Sequence, residues 1–240
     1  PGRPMNQKDV KSGGQRFESL QLLRGVAAAL VVYVHSFDTF REKVDASISL
    51  NTAIGLGELG VKIFFCISGF IIFESIQSLK RGTPSFLSFA KKRLIRIIPL
   101  YWLATLIYAL KQGIMGTPPT PHDLIFSLLF IPYSDEHGLM RPVIGAGWTL
   151  NFEMFFYSAA AVTIFFSERL RAPLLVVVMG ALAAMEGLIS QGINPLLDVV
   201  SLMTSNYLLF FLAGIFCSAA RQFAVTDRNY TSVFFLLTPA

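Results

Sequence analysis

Three ionisable side chains stand inside apolar runs where a bilayer would penalise them: Arg24, His35 and Glu153. A charge near the bilayer centre costs roughly 2.5 to 3.5 kcal/mol on insertion scales, so each is a candidate for function. Arg24 and His35 are eleven positions apart. On a helix they differ by only about 20° in direction and lie roughly 16 Å apart along the axis, so they share one face. The plain alternatives are a snorkelling Arg24 and an interfacial His35 bonded to a neighbour. Glu153 and Tyr157 are i and i+4, which puts them on one face within hydrogen-bond reach. A carboxylate beside an imidazole orients and charges it, an arrangement suited to general acid/base work. A structural hydrogen bond between helices is the alternative for Glu153, and an aromatic belt is the alternative for Trp148 and Tyr157.

A second cluster, Lys91-Lys92-Arg93-Leu94-Ile95-Arg96, directly precedes Ile98-Pro99-Leu100-Tyr101-Trp102. Arg93 and Arg96 are i and i+3, hence neighbours on a helix, and guanidinium groups suit phosphate oxygens bidentately. A phosphorylated cytoplasmic ligand would fit there, with anchoring against anionic lipid as the alternative. Glu74 and Glu186 fall near the ends of apolar runs, where exposure at the interface accounts for them, and they are assigned no chemistry. Glu58 and Lys62 suit a salt bridge or simple hydration. His122 and His137 read as solvated loop residues. Cys66 and Cys217 lie in apolar runs with no metal-ligand spacing, so they read as small apolar fillers, and no metal site is expected.

The elements that must position these groups are membrane helices. Of 240 residues, 53% are hydrophobic and only 15% charged, with a mean hydropathy of +0.58. That excludes an ordinary soluble domain, in which about a quarter of residues are charged. A net charge of +5 is too thin for a nucleic-acid binder and points to basic cytoplasmic loops. The fold class expected is an all-α polytopic transmembrane bundle of seven or eight spans. The runs are 20–37, 61–76, 94–110, 149–166, 173–189 and 202–219, with a further incomplete one over 232–240. A shorter run, 124–131, reads as interfacial or re-entrant.

With a cytoplasmic N-terminus, fourteen Lys and Arg fall inside and four outside, Arg24 and Lys62 being left in or at the membrane. That bias sets the orientation as N-terminus in, with one long external excursion across 113–147. The expected organisation is a cytoplasmic tail over 1–19 and one integral-membrane domain over 20–240. The chain stops inside an apolar run, so the natural protein is expected to continue with further C-terminal helices.

Four segments, in order, resemble the signatures of the membrane acyltransferase-3 family. They are Arg24-Gly25-Val26-Ala27-Ala28 leading to His35; Gly60-Val61-Lys62-Ile63-Phe64-Phe65-Cys66-Ile67-Ser68-Gly69-Phe70-Ile71-Ile72; Arg93-Leu94-Ile95-Arg96-Ile97-Ile98-Pro99-Leu100-Tyr101-Trp102; and Trp148-Thr149-Leu150-Asn151-Phe152-Glu153-Met154-Phe155-Phe156-Tyr157. The segment from Phe17 to Gly25 looks most like the subgroup that O-acetylates bacterial exopolysaccharides. The matches cover roughly the first 160 residues. Family members typically carry more spans than this chain supplies. Lys62 stands where the family is frequently acidic, and no role is carried over to it.

What the resemblance implies is a multi-pass enzyme of the bacterial inner membrane. It would move an acyl group, with acetyl the expectation, from cytoplasmic acyl-CoA to a hydroxyl of an exopolysaccharide or other cell-surface glycan. Acyl-CoA would be a co-substrate, with no permanently bound cofactor; further partners would be the glycan acceptor, the lipid bilayer and other polysaccharide-synthesis proteins. Arg24 and His35 match the family's Arg-His pair, Arg93 and Arg96 its basic pair associated with CoA phosphates, and Glu153 its acidic residue.

Acyl transfer from a thioester needs a base for the attacking hydroxyl, an acid or charge for the departing thiolate, and oxyanion donors. The assignment expected is Arg93 and Arg96, helped by Lys91, on the CoA phosphates. His35 acts as base or transient acyl carrier, with Glu153 orienting it, and Arg24 and Ser68 polarise the carbonyl. Ser68, Trp148 and Tyr157 would contact substrate. The competing readings are a transporter or flippase of acyl groups or glycan intermediates, and an inactive truncated relative. No internal symmetry between halves favours the transporter.

Overall fold

The computed structural model describes residues 7–41, 50–133, 142–184 and 205–221. These residues form helices α1 (Gln7–Arg41), α2 (Leu50–Gln77), α3 (Thr83–Ile114), α4 (Pro121–Leu128), α5 (Trp148–Thr163), α6 (Glu168–Ala184) and α7 (Tyr207–Arg221), with a 3-10 turn at Gly145–Gly147 before α5. Among the described residues there is no strand, so the spanning segments pair their backbone polar groups mainly within their own helices, as hydrocarbon requires. Among the described residues, three helices are long and apolar enough to cross a bilayer: Glu18–Phe37 of α1, Ile54–Gln77 of α2, and α3. α5, α6 and α7 are apolar but shorter within the described residues, at 16, 17 and 15 residues. The expected run over 232–240 lies outside the described residues.

α1, α2 and α3 outrun the apolar runs read from the sequence, whereas α5 stops at Thr163, short of the expected 166. α2 begins eleven residues before Val61, and α3 begins at Thr83, with Pro84 in its first turn, where a missing N–H is harmless. Pro99 sits inside α3, which continues through it. At about 1.5 Å per residue, the 32 residues of α3 extend roughly 48 Å, more than the thickness of a hydrocarbon core. The short run expected over 124–131 is the eight-residue helix α4 and its exit. A capping box between Thr120 and Asp123 starts α4, and Trp102 of α3 donates to Leu128 O at 2.9 Å at its end.

The chain packs as two compact units, Pro1–Ile67 and Ser68–Ala240, divided within α2. In the first unit α1 and α2 approach backbone to backbone. A Cβ on Gly60 would lie 2.7 Å from Ala27 O, and Ala27 is fully buried. Small residues at a helix crossing let main chains close in where lipid supplies no hydrophobic drive.

In the second unit, Ile72, Phe73 and Ile76 of α2 are buried, as are Phe156 and Ala160 of α5, Leu175 and Met179 of α6, and Leu208, Phe211 and Ile215 of α7. Phe156 and Phe211 stack at 4.2 Å between centroids. Gly69 makes the tightest approach: its Cβ would fall 2.1 Å from Phe211 O, so α2 and α7 meet where only a hydrogen fits. The outward faces stay apolar, as in Leu103, Ile107 and Leu110 of α3, which suits contact with lipid tails.

Candidate active site

The site in the second unit starts from Glu153, one turn into α5, on the same side as Phe152 and Phe156, whose burial holds the helix against its neighbours. Its Oε1 accepts from Ser68 Oγ of α2 at 2.7 Å, and its Oε2 accepts from Tyr157 OH at 3.1 Å. Ser68 and Tyr157 are both buried. The i, i+4 bond within α5 is the one the spacing predicts. The bond to Ser68 crosses 85 positions and joins two helices. Each carboxylate oxygen thus receives a hydroxyl proton, the charge-assisted arrangement that stabilises an ionised acid away from water.

Arg93 of α3 closes the other side of Tyr157. Its guanidinium carbon lies 5.8 Å from the Tyr157 ring centroid and 5.3 Å from that of Phe89, and its Nη2 donates to Ser75 Oγ at 2.9 Å. A cleft of about 170 Å³ opens between α3 and α5, lined by Phe86, Phe89, Ala90, Arg93, Leu94, Met154, Tyr157, Ser158 and Ala161. Its wall is apolar apart from the guanidinium and two hydroxyls. An apolar cleft with one cation in its wall can take an apolar group beside an anion.

Arg93 and Arg96, alike in the sequence, part company in the structure. Arg93 is half-buried in the cleft, whereas Arg96, Lys91 and Lys92 are exposed. Arg96 still lies within electrostatic reach of the Tyr157 hydroxyl. Trp148 sits at the start of α5 in an aromatic cluster, 5.7 Å from Phe152 and 5.2 Å from Tyr207 of α7 between centroids. Arg24 is half-buried and His35 exposed on α1, one continuous helix, so the shared face expected from their spacing holds. Both belong to the first unit and Glu153 to the second.

Two charges that the sequence left without a role hold the ends of helices in place. Glu74, expected to be simply exposed, accepts from Ser218 Oγ at 2.8 Å and from Arg221 Nη1 at 3.1 Å, tying α2 to α7. Arg171, counted only as a loop charge, is fully buried. Its Nη1 donates to Ile76 O and to Leu79 O, the latter at 2.9 Å, and its Nη2 to Ile164 O at 3.4 Å. These carbonyls end α2 and α5, so one guanidinium caps two helices at their negative poles. Arg81 adds a bond to Phe165 O at 3.2 Å. Nothing in the local sequence separates Arg171 from Arg169 beside it. The Glu58–Lys62 pair is present at 3.0 Å, and His122 is exposed and stacked on Phe126.

A model of the acyltransferase domain of the acyltransferase-3 type matches residues 17–238. The chain belongs to the acyltransferase-3 family. Among curated proteins, this family member is 37% identical over 166 residues to the exopolysaccharide production protein ExoZ of Rhizobium meliloti (strain 1021), covering 67% of the chain and 50% of that relative. It is 32% identical over 142 residues to protein 2 in the picA locus of Rhizobium radiobacter, covering 51% of the chain and 68% of that protein. The chain thus spans about half the length of ExoZ. No solved structure matches.

Proposed function

We propose that this acyltransferase-3 chain carries the donor-binding and reacting core of a multi-pass inner-membrane O-acyltransferase. It moves an acyl group, acetyl by preference, from cytoplasmic acyl-CoA to a hydroxyl of an exopolysaccharide or other cell-surface glycan. The observation that carries the proposal is the hydrogen-bonded set Ser68–Glu153–Tyr157 beside Arg93 in an apolar helix bundle. Family membership supports the reaction class, and the similarity to the exopolysaccharide production protein ExoZ supports a place in exopolysaccharide production.

The reaction divides among the side chains as follows. Arg93 and Arg96, with Lys91, hold the CoA phosphates, and the apolar cleft beside Arg93 receives the donor's flexible arm. Ser68, already poised to donate, turns its proton toward the thioester oxygen as charge develops there. Glu153 holds Ser68 and Tyr157 in place and supplies a fixed negative charge to the proton-accepting side of the site. His35 accepts the proton of the attacking hydroxyl as the new C–O bond forms, the C–S bond breaks and CoA leaves as the thiolate, which takes up a proton to depart as the free thiol; Arg24 adds positive charge on its face of α1, and Trp148 contributes to the acceptor's surroundings. Other polysaccharide-synthesis proteins supply the acceptor.

Membrane vesicles bearing the full-length protein, given labelled acetyl-CoA on the cytoplasmic face and glycan acceptor on the other, test the proposal. Label in an alkali-labile ester on the glycan is the expected result. Label released as soluble product on the far side, with none on glycan, would instead identify a transporter.

A further inference from the structure

α2 presents two hydroxyls on one stripe, because Ser68 and Ser75 are seven residues apart and lie about 20° apart around the helix. Ser68 serves Glu153 of α5, and Ser75 serves Arg93 of α3. The polarity at Ser75 is fixed. A serine hydroxyl has one proton and two acceptor lone pairs, and Ser75 Oγ donates that proton to Ile71 O at 2.7 Å. Its remaining capacity is acceptance, and the group placed there is Arg93 Nη2 at 2.9 Å.

The Phe89 and Tyr157 rings lie to the sides of the same guanidinium, at 5.3 Å and 5.8 Å from its carbon. An arginine has many rotamers, and an anion that binds it must first collect them into one. Here one hydrogen bond and two ring faces do so before any ligand arrives, and Tyr157 is in turn held by Glu153.

We infer that Ser75 is the positioning residue for Arg93, fixing its guanidinium in the α3–α5 cleft so that it meets the phosphate of the incoming acyl-CoA preorganised. Ser75 itself does not touch the donor. The inference rests on the proposed role of Arg93 in donor binding, and it adds a residue outside every segment that carries the family resemblance. Without the hydroxyl the cation keeps its two rings but is no longer drawn toward Ser75. Donor affinity falls while the chemical step, which depends on groups elsewhere in the bundle, keeps its rate.

The test is steady-state kinetics of the full-length protein in membranes, with acetyl-CoA varied. Ser75→Ala should raise the KM for acetyl-CoA about tenfold, the size of one lost hydrogen bond to a charged group, with kcat within about twofold of wild type. Ser75→Thr, which keeps a hydroxyl able to donate to the i−4 carbonyl and accept from Arg93, should restore KM. In an Arg93→Ala background Ser75→Ala should have no further effect, since coupled residues are non-additive. Should Ser75→Ala fail to insert, Ser75→Cys is read the same way, being close in shape and a poor acceptor.

The failures separate. Raised KM in Arg93→Ala with normal KM in Ser75→Ala overturns the inference alone. Normal KM in Arg93→Ala overturns the donor-binding role and the inference with it. A Ser75→Ala effect that Thr does not restore, or one that persists without Arg93, also overturns the inference.

Discussion

Glu153→Gln separates a carboxylate that does chemistry from one that holds helices together. In the wild type both oxygens accept hydroxyl protons, at 2.7 Å from Ser68 and 3.1 Å from Tyr157. Glutamine keeps one acceptor oxygen and offers an NH₂ to the other hydroxyl, which must then rotate and accept. Both contacts survive without their charge assistance, at a loss of about 1 kcal/mol each. Removing a half-buried charge from apolar surroundings returns a similar amount or more. The net change in stability is therefore about 1 kcal/mol or less, a shift of a few degrees at most in detergent. Activity should fall much further, by about 10² to 10⁴ in kcat, the usual range for a positioned acid or base. The assay is acetyl transfer to glycan alongside the thermal midpoint of the same preparation. Wild-type turnover in Glu153→Gln would refute the reasoning, as would a collapse in stability that matches the collapse in rate.

His35→Ala should abolish acyl transfer while the protein inserts normally; near-normal transfer would remove His35 from the reaction. Gly69→Ala places a Cβ 2.1 Å from Phe211 O, so α2 and α7 must part. Overpacking of that kind costs about 1 to 3 kcal/mol, visible as a lowered thermal midpoint, and an unchanged midpoint would deny the close contact. Arg171→Met removes three bonds to carbonyls at the ends of α2 and α5 and should destabilise by about 3 kcal/mol, read by unfolding in detergent. Arg93→Lys should raise the KM for acetyl-CoA several times more than Arg96→Lys, because only Arg93 is built into the cleft; equal effects would restore the symmetry of the sequence.

What the sequence made legible is what depends on one helix. Long apolar runs gave an all-helical bundle, with α1, α2 and α3 where spans were expected. Helical periodicity alone gave the Tyr157–Glu153 bond, i to i+4, and of the two options for Glu58 and Lys62, salt bridge or hydration, the salt bridge is present. Contacts between helices follow from rotation and offset, which no local pattern encodes. Ser68 reaches Glu153 across 85 positions, and Arg93 meets Ser75 across 18. Arg93 and Arg96 look equivalent because i and i+3 are neighbours. They still point about 60° apart around the helix, enough for one to enter the cleft and the other to face out. Glu74 and Arg171 were hidden for a different reason. Their partners are two side chains on a distant helix and backbone carbonyls at helix ends, and main-chain acceptors leave no mark in residue types.

Ester formation, rather than movement of an acyl group unchanged, is the activity proposed for this chain. The direct measurement is the ester content of extracellular glycan from cells that differ only in the full-length protein, wild type or Glu153→Gln, at matched membrane levels. Alkali-labile acyl groups on the sugar hydroxyls with wild type, and their loss with Glu153→Gln, are predicted. Glycan with the same ester content in both would contradict it.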